Sequence, residues 1–311
     1  MKAASGEVDA RQSFVGDVEI RANMTVAPSI GGASLLPLIQ TPSLDCDCIL
    51  ADVLGCSRSF ILSHSDEAME AYQIEKFLSA IERRCTGLPV AYIIGRKEFY
   101  GRDFFVDESV LIPKPDTELL VERTIQLVSS HFAGRNKLAV VDVCTGSGCI
   151  AVSLWKELAG INFEMDFFAT DISPEALKVA EKNCEIHDCR IQLLQGDLLS
   201  EIDLPKLDVV VSNPPYIPSG MARELLKDGR AEPLLALDGD CDGSIDGTGL
   251  IARLVPQAFE VLNKDGWFLM ETGEYNAARA AEIMQEQGFR DVSIHPDLSG
   301  QPRVVEGRKE P

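Results

Sequence analysis

From Thr117 to the C-terminus, short apolar runs alternate with segments of helical period, and this alternation limits the fold more than any other feature of the chain. LAVVDV (138–143) is an apolar strand entering a glycine-rich turn, and Ile150 to Leu158 continues with helical spacing. FEMDFFATD (163–171) is the next strand, followed by a helix that opens at Ser173-Pro174 and reaches about Ile186. IQLLQ (191–195), LDVVVS (207–212) and GWFLME (266–271) read as further strands, with helical pattern over 248–262 and 277–287. Such alternation over ~190 residues predicts an α/β fold with a parallel sheet, whose ligands bind at the carboxyl ends of the strands.

The first third of the chain follows other rules. Residues 1–40 have weak periodicity and carry the breakers Pro28, Gly31, Gly32 and Pro37, so a poorly ordered extension is expected there. LDCDCILADVL (44–54) and the segment Asp66–Arg84 both place apolar residues at helical intervals, and Gly87-Leu88-Pro89 stops the second helix. Between Val90 and Ile112 the period changes to two, as in EFYGRDFFV around Gly101, which predicts a short hairpin. The expected division is therefore an extension over 1–40, a helical domain over 41–88, a β-hairpin linker over 89–112 and the α/β domain over 113–311.

Composition narrows the partners. With 29 basic and 49 acidic side chains among 311 residues, the formal charge is 29 − 49 = −20. Nucleic-acid affinity draws on clustered Lys and Arg, so direct binding to a nucleic acid is not expected. The nine cysteines show no C-x-x-C spacing and the four histidines are scattered, which fits reduced thiols in a cytoplasmic protein better than a zinc site. No run reaches the ~18 apolar residues of a membrane span, and MKAASGEVDARQ is a poor signal peptide.

Three elements at the expected strand ends have the chemistry of a nucleotide-like site. In Asp142-Val-Cys144-Thr145-Gly146-Ser147-Gly148, the glycines let backbone approach a ligand while helix amides point at it. Tight turns use such glycines too. Asp171, at the end of the next strand, can accept both hydroxyls of a ribose; the competing role, capping the following helix, can fall to Ser173. Asp197, with Leu198 beside it, follows the third strand where an adenine would sit, although Gly196-Asp197 also suits a turn.

Asn213-Pro214-Pro215-Tyr216 is the most informative string. Two prolines cannot extend a central strand, so the chain leaves the sheet directly after LDVVVS. The Asn213 amide oxygen and the Pro214 carbonyl can together accept both hydrogens of a planar –NH2 group, and Tyr216 offers an aromatic face. An Asn-Pro turn is the alternative.

This combination resembles the S-adenosylmethionine-dependent amino-methyltransferases, and longer strings narrow the resemblance. GLPVAYIIGRKEFYGRDFFVDESVLIPKPDTELLVE (87–122), SNPPYIPS (212–219), EPLLALDGDCDG (232–243) and DLSGQPRVVEGR (297–308) are similar to the HemK family, over about residues 44–308. The resemblance implies a Rossmann-like methyltransferase domain behind a small helical substrate-recognition domain and a hairpin linker. It also implies that S-adenosylmethionine is the methyl donor and that the acceptor is the glutamine N5 of the Gly-Gly-Gln motif in peptide-chain release factors, with Asn213, Pro214, Pro215 and Tyr216 at the reaction. A monomer is expected.

Departures from the family pattern stand at Pro113-Lys114-Pro115-Asp116, where an arginine and a glutamate are usual, and at Cys144, in place of a glycine that is dispensable if φ is negative. Glu271-Thr-Gly273-Glu-Tyr-Asn276 replaces E-I-G-x-x-Q. Asp238-Gly-Asp240-Cys-Asp242-Gly243 opens like a calcium loop, but Gly249 stands where a bidentate Glu is needed, so a solvated acidic loop is expected and no metal. Rival readings are a ribosomal-protein glutamine methyltransferase, an adenine-directed DNA or RNA methyltransferase, and a non-catalytic cofactor-binding protein.

Overall fold

A computed structural model describes residues 41–64, 68–160, 164–227 and 231–310, so the extension expected over 1–40 lies outside the described residues. The chain divides into two compact units, one holding the described residues up to Gly95 and those of Leu225–Ala231, the other Arg96–Glu224 with Glu232–Pro311.

The smaller unit packs α1 (Pro42–Leu54), α2 (Arg58–Ser63), α3 (Ala71–Cys85) and α4 (Val90–Ile94). Pro42 opens α1 where no amide partner is needed, and Gly55 closes it at φ 64°. Ile49, Leu50, Ile61, Met69 and Phe77 form its core, with Val90, Ile93 and Ile94 of α4 packed on them. A 2.8 Å ion pair between Arg84 and Asp45 joins α3 to α1. The sequence pattern misses two of these helices. α4 reads as alternating strand because VAYII has no polar spacing, yet its residues turn inward together and Gly95 stops it at φ 70°. α2 is a single capped turn, held by Ser57 accepting from the Phe60 amide at 3.2 Å.

The larger unit begins with a hairpin, β1 (Arg96–Phe99) against β2 (Arg102–Phe105), joined by Tyr100-Gly101. Both turn residues have positive φ, 50° and 68°, the geometry that matches the natural twist of paired strands. Phe99 and Phe104 are fully buried in the same cluster as Leu120, Val140 and Leu154, so the hairpin belongs to the core of this unit.

A seven-stranded sheet follows. In chain order it comprises β3 (Lys137–Val143), β4 (Glu164–Asp171), β5 (Gln192–Gln195), β6 (Leu207–Ser212), β7 (Leu262–Glu271), β8 (Phe289–Pro296) and β9 (Pro302–Lys309), arranged in space 5-4-3-6-7-9-8. The first five are parallel, as the alternation predicts, but β9 pairs antiparallel with both β7 and β8. The sheet is therefore mixed. The last two strands escape notice in the sequence because β8 is largely exposed and polar, so neither an apolar run nor clean alternation marks it.

Helices α5 (Glu118–His131), α6 (Cys149–Ala159), α7 (Pro174–Ile186), α8 (Ser219–Lys227), α9 (Gly249–Val261) and α10 (Ala277–Gln287) complete the fold. Leu120, Val121 and Leu127 of α5 and Ile150 and Leu154 of α6 share one core with the sheet. Ile251 and Leu254 of α9 and Ala280 and Met284 of α10 share the other. All nine cysteines are free thiols, buried at Cys149 and Cys184 and exposed at Cys85. Among the described residues no helix is long and apolar enough to cross a membrane.

Candidate active site

The strand register gathers the candidate residues along one edge. Val143 of β3 lies opposite Thr170 of β4 and Ser212 of β6, and Asp171 lies opposite Gln195 of β5. The turn 144–148, Asp171, Asp197-Leu198 and Asn213–Tyr216 thus all follow the carboxyl ends of adjacent parallel strands. The connections from β3 and β6 leave on opposite faces there, which opens a crevice at this point of the sheet.

Three residues of the glycine-rich turn have positive φ: Cys144 (61°), Gly146 (54°) and Gly148 (78°). The two glycines do different work. A Cβ on Gly148 would press to 3.3 Å on Ala180, so this position lets α6 approach α7, whereas a Cβ on Gly146 would meet nothing within 4 Å. Gly146 therefore faces open space in front of the sheet, where a ligand can lie against its backbone. Cys144 takes the left-handed conformation without being glycine, so this departure does matter: it costs on the order of 1 kcal/mol of backbone strain.

Thr145 and Ser147 are buried, and Thr145 donates to Asp142 Oδ2 at 2.6 Å. Asp142 is fully buried and its Oδ1 has no hydrogen-bond partner; burial pushes its carboxyl up to about 7, with the Thr145 hydroxyl opposing. Asp171 receives the Gly146 amide on Oδ2 at 2.8 Å and the Ser173 amide on Oδ1 at 2.9 Å. Ser173 does cap α7, accepting from Ala176 N at 3.2 Å, but Asp171 is not left free by it. Desolvation raises the Asp171 carboxyl above the usual range, against those backbone amides. Asp197 is held by Arg253 at 2.5 Å, and Leu198 is buried at φ 58° with its carbonyl accepting from Thr170 Oγ1.

The Asn213–Tyr216 segment is braced on several sides. Asn213 Nδ2 donates to Thr117 Oγ1 at 3.2 Å, leaving Oδ1 to accept from a second donor. Pro214 is buried, and the Tyr216 hydroxyl donates to Glu271 Oε1 at 2.9 Å. Asn276, in the position where the family pattern has glutamine, donates to the Tyr216 carbonyl at 2.8 Å. Gly239 and Gly247 lie directly against this backbone: a Cβ on Gly239 would fall 2.6 Å from Tyr216 Cα, and one on Gly247 would collide with the Tyr216 carbonyl. Burial and the Glu271 carboxylate both push the Tyr216 phenol well above its usual range, so it stays a hydrogen-bond donor.

The acidic loop has a different role from the solvated one expected. Asp240 accepts from Ser219 N (2.8 Å), Gly247 N (2.7 Å) and Ser244 Oγ (3.1 Å), and Asp238 accepts from Ser219 Oγ (2.6 Å). These carboxylates hold the loop that braces Tyr216. No group of residues suited to a metal occurs among the described residues. Lys114 pairs with the buried Glu232 at 2.6 Å, and Asp116 lies 3.4 Å from Arg303.

Two contributors, Asn183 and Thr117, were not singled out from the sequence, and a third, Glu271, entered only as part of a string that departs from the family pattern. Asn183 of α7 is fully buried; it accepts from Phe105 N at 2.8 Å and donates to the carbonyls of Phe105 (2.9 Å) and Ser147 (2.8 Å). It ties the hairpin to the glycine-rich turn. Thr117 and Glu271 meet the Asn213–Tyr216 segment from elements 96 and 55 positions away. A buried acid ending an apolar strand was the available signal for Glu271; for Asn183 and Thr117 the local pattern holds none.

A family model described as the PrmC N-terminal domain matches residues 32–95, and one described as a methyltransferase small domain matches residues 119–230. The chain is 39% identical over 271 residues to the release factor glutamine methyltransferase of Koribacter versatilis, covering 86% of this chain and 92% of that one. It is 36% identical over 271 residues to the enzyme of the same name from Geobacter sulfurreducens, covering 87% and 90%. Among solved structures, a methyltransferase from Pyrococcus furiosus aligns at 16% identity with a TM-score of 0.48, covering 78% of this chain and all of that one. Identity at this level, sustained over nearly the whole of both chains, places the protein in the release factor glutamine methyltransferase family.

Proposed function

We propose that the protein methylates the side-chain amide nitrogen of the glutamine in the Gly-Gly-Gln motif of peptide-chain release factors, with S-adenosylmethionine as donor. The observation that carries this reading is Asn213. Its amide nitrogen is engaged by Thr117 at 3.2 Å, so its oxygen and the Pro214 carbonyl remain as two acceptors for one –NH2 group. The relatives' names supply the glutamine and the release factor.

The residues present fit the donor. Gly146 faces open space at the crevice, and Cys144–Gly148, Asp171, Asp197 and Leu198 would hold the nucleoside and amino-acid parts against it. When bound, S-adenosylmethionine supplies an electrophilic methyl group on a sulfonium. The chain's own contribution is placement. An amide nitrogen is a poor nucleophile because its lone pair is delocalised, and acceptance of both N–H hydrogens by Asn213 and Pro214 fixes the plane of the group. Such placement can lower a barrier by several kcal/mol, on the order of the smaller orientation effects known. Tyr216 would form the wall against the flat amide, and Pro215 stiffens the turn between them.

In this reading residues 41–88 recognise the release factor, 89–112 connect, and 113–311 perform the transfer. The protein acts as a monomer in the cytoplasm and binds neither membrane nor nucleic acid directly. The test is incubation with purified release factors and S-adenosylmethionine, followed by mass spectrometry. One added methyl on the Gly-Gly-Gln glutamine is expected, absent with Asn213→Ala; near-wild-type transfer by that variant would sink the assignment.

A further inference from the structure

We infer that the chain carries a methyl acceptor of its own: the side-chain amide of Gln301, in the turn between β8 and β9, is methylated by a second copy of the enzyme in a transient encounter. This rests on the proposed function, because it supplies the –NH2 group that Asn213 and Pro214 are there to accept.

A Gly-Gly-Gln acceptor has no side chain on the two residues before its glutamine, so the backbone beside the reacting amide can enter a narrow crevice. Of the ten glutamines in this chain, Gln301 alone follows a glycine, in Ser299-Gly300-Gln301. The turn accounts for that glycine, which takes φ 81°. It does not account for the glutamine. Asp297 builds the turn: its Oδ1 accepts from the amides of Ser299 (2.9 Å) and Gln301 (3.0 Å), its carbonyl accepts from Gly300 N (2.9 Å), and its amide donates to the Gln301 carbonyl (2.8 Å). These bonds use only the backbone of Gln301. Its side chain is exposed and makes no hydrogen bond among the described residues, so nothing within the fold requires an amide there. Ser299 and Gly300 are exposed with it, and Leu298 beside them is wholly exposed.

The strand register shows which way this turn points. Val304 of β9 lies opposite Glu271, the last residue of β7, and the next amide, Thr272 N, donates to the Arg303 carbonyl at 2.8 Å. Because β9 runs antiparallel to β7, Gln301 continues past the carboxyl end of β7, by about 10 Å for three residues. It therefore overhangs the edge at which the crevice opens. Asn213 follows β6, two strands across from β9, which is on the order of 10 Å sideways as well. Arg303 holds Asp297 at 3.0 Å, so the turn is pinned, and this gap is wider than a glutamine side chain spans. The crevice that takes Gln301 is accordingly that of another copy. In the step, Gln301 Nε2 bonds to the methyl carbon as the carbon–sulfur bond of the sulfonium breaks. The sulfur keeps the bonding pair as a neutral thioether, and one amide proton passes to solvent.

The test uses the full-length protein and two independent readouts. In the first, wild type is incubated with S-adenosylmethionine carrying a deuterated methyl, with and without a release factor, in about 0.3 M salt to screen the repulsion between two acidic chains. Peptide mass spectrometry is expected to find one methyl on Gln301 and none on the other nine glutamines, complete within about ten times the period the release factor needs. A mixture of Asn213→Ala as acceptor and Gln301→Asn as enzyme should label Gln301 of the former, and Gln301→Asn should methylate the release factor within threefold of wild type. The second readout needs no cofactor. The Gln301 side-chain NH2 is followed by NMR in glutamine-labelled Asn213→Ala protein, assigned through Gln301→Asn. Unlabelled Gln301→Asn protein should shift or broaden it, and the same titrant also carrying Asn213→Ala should do so at least tenfold less. Release-factor methylation with Gln301 bare, labelling at other glutamines instead, no transfer within the mixture, or a resonance indifferent to the added copy would each overturn the inference. A wild type that labels neither Gln301 nor any release factor refutes the proposed function, and the inference with it.

Discussion

The carbonyl oxygen of Tyr216 accepts a 2.8 Å hydrogen bond from Nδ2 of Asn276, and the backbone of Gly247 closes over the same carbonyl. The segment that would receive the substrate amide is thereby clamped between the end of β7 and the acidic loop. Gly247 (φ 77°) and Gly243 (φ 87°) both need the left-handed conformation, but a Cβ on Gly243 would meet nothing within 4 Å. Gly243→Ala is expected to cost about 1 kcal/mol from backbone strain alone, and Gly247→Ala at least about 2 kcal/mol more because it also collides with the clamp. Urea denaturation of the two variants measures the difference, and equal losses would show that the clamp does not constrain the loop.

Asn183 makes three hydrogen bonds from one buried side chain, two to Phe105 of β2 and one to the Ser147 carbonyl. Asn183→Ala strands those backbone groups and leaves a cavity, so a loss of about 3 kcal/mol is expected. Because Ser147 belongs to the glycine-rich turn, S-adenosylmethionine affinity should fall as well, which calorimetric titration reads. Loss of stability with unchanged affinity would confine Asn183 to the hairpin.

Asp142 gives stability a pH dependence. Its carboxyl, 3.8 when free, is raised to about 7 by burial, so between these values the folded chain keeps a proton that the unfolded chain releases. The contribution is intact below pH 3.8 and is lost as pH rises to about 7. Asp142→Asn cannot titrate, so wild type should lose on the order of a few kcal/mol relative to the variant between pH 4 and 7. Denaturation series at several pH values test this, and a constant difference would refute it.

Cys144 holds φ 61° in the turn where the family pattern has glycine. Cys144→Gly should remove the strain and leave S-adenosylmethionine binding within about threefold, while Cys144→Val should be less stable than Cys144→Gly by about 2 kcal/mol, because branching at Cβ worsens the left-handed conformation. Thermal denaturation of both variants ranks them, and the reverse order would mean that this side chain's packing outweighs its backbone cost.

Much of the site was legible in the chain itself. Apolar runs such as LAVVDV and LDVVVS mark strands buried on both faces, and a strand that stops at Gly-x-Gly or Pro-Pro must release its next residues at a sheet edge. That determined the parallel core, the crevice, and the placing of Gly146, Asp171 and Asn213. Local pattern also carried the Tyr100-Gly101 hairpin, whose turn chemistry is contained in adjacent residues.

Tertiary structure alone decided the rest. The antiparallel ending β7-β9-β8 depends on pairing between strands whose own pattern is weak, and α4 turned helical because its apolar residues found a shared core with Ile49 and Phe77. Asp238 and Asp240 read as a free acidic loop until folding brought Ser219 and the Gly247 amide to them. The same holds for the Thr117–Asn213 and Tyr216–Glu271 contacts, which span 96 and 55 residues. A sequence determines which side chains a strand end presents, because that follows from local backbone geometry. Which partner then takes each proton is decided by groups distant in the chain, and only the folded arrangement brings them within hydrogen-bonding reach.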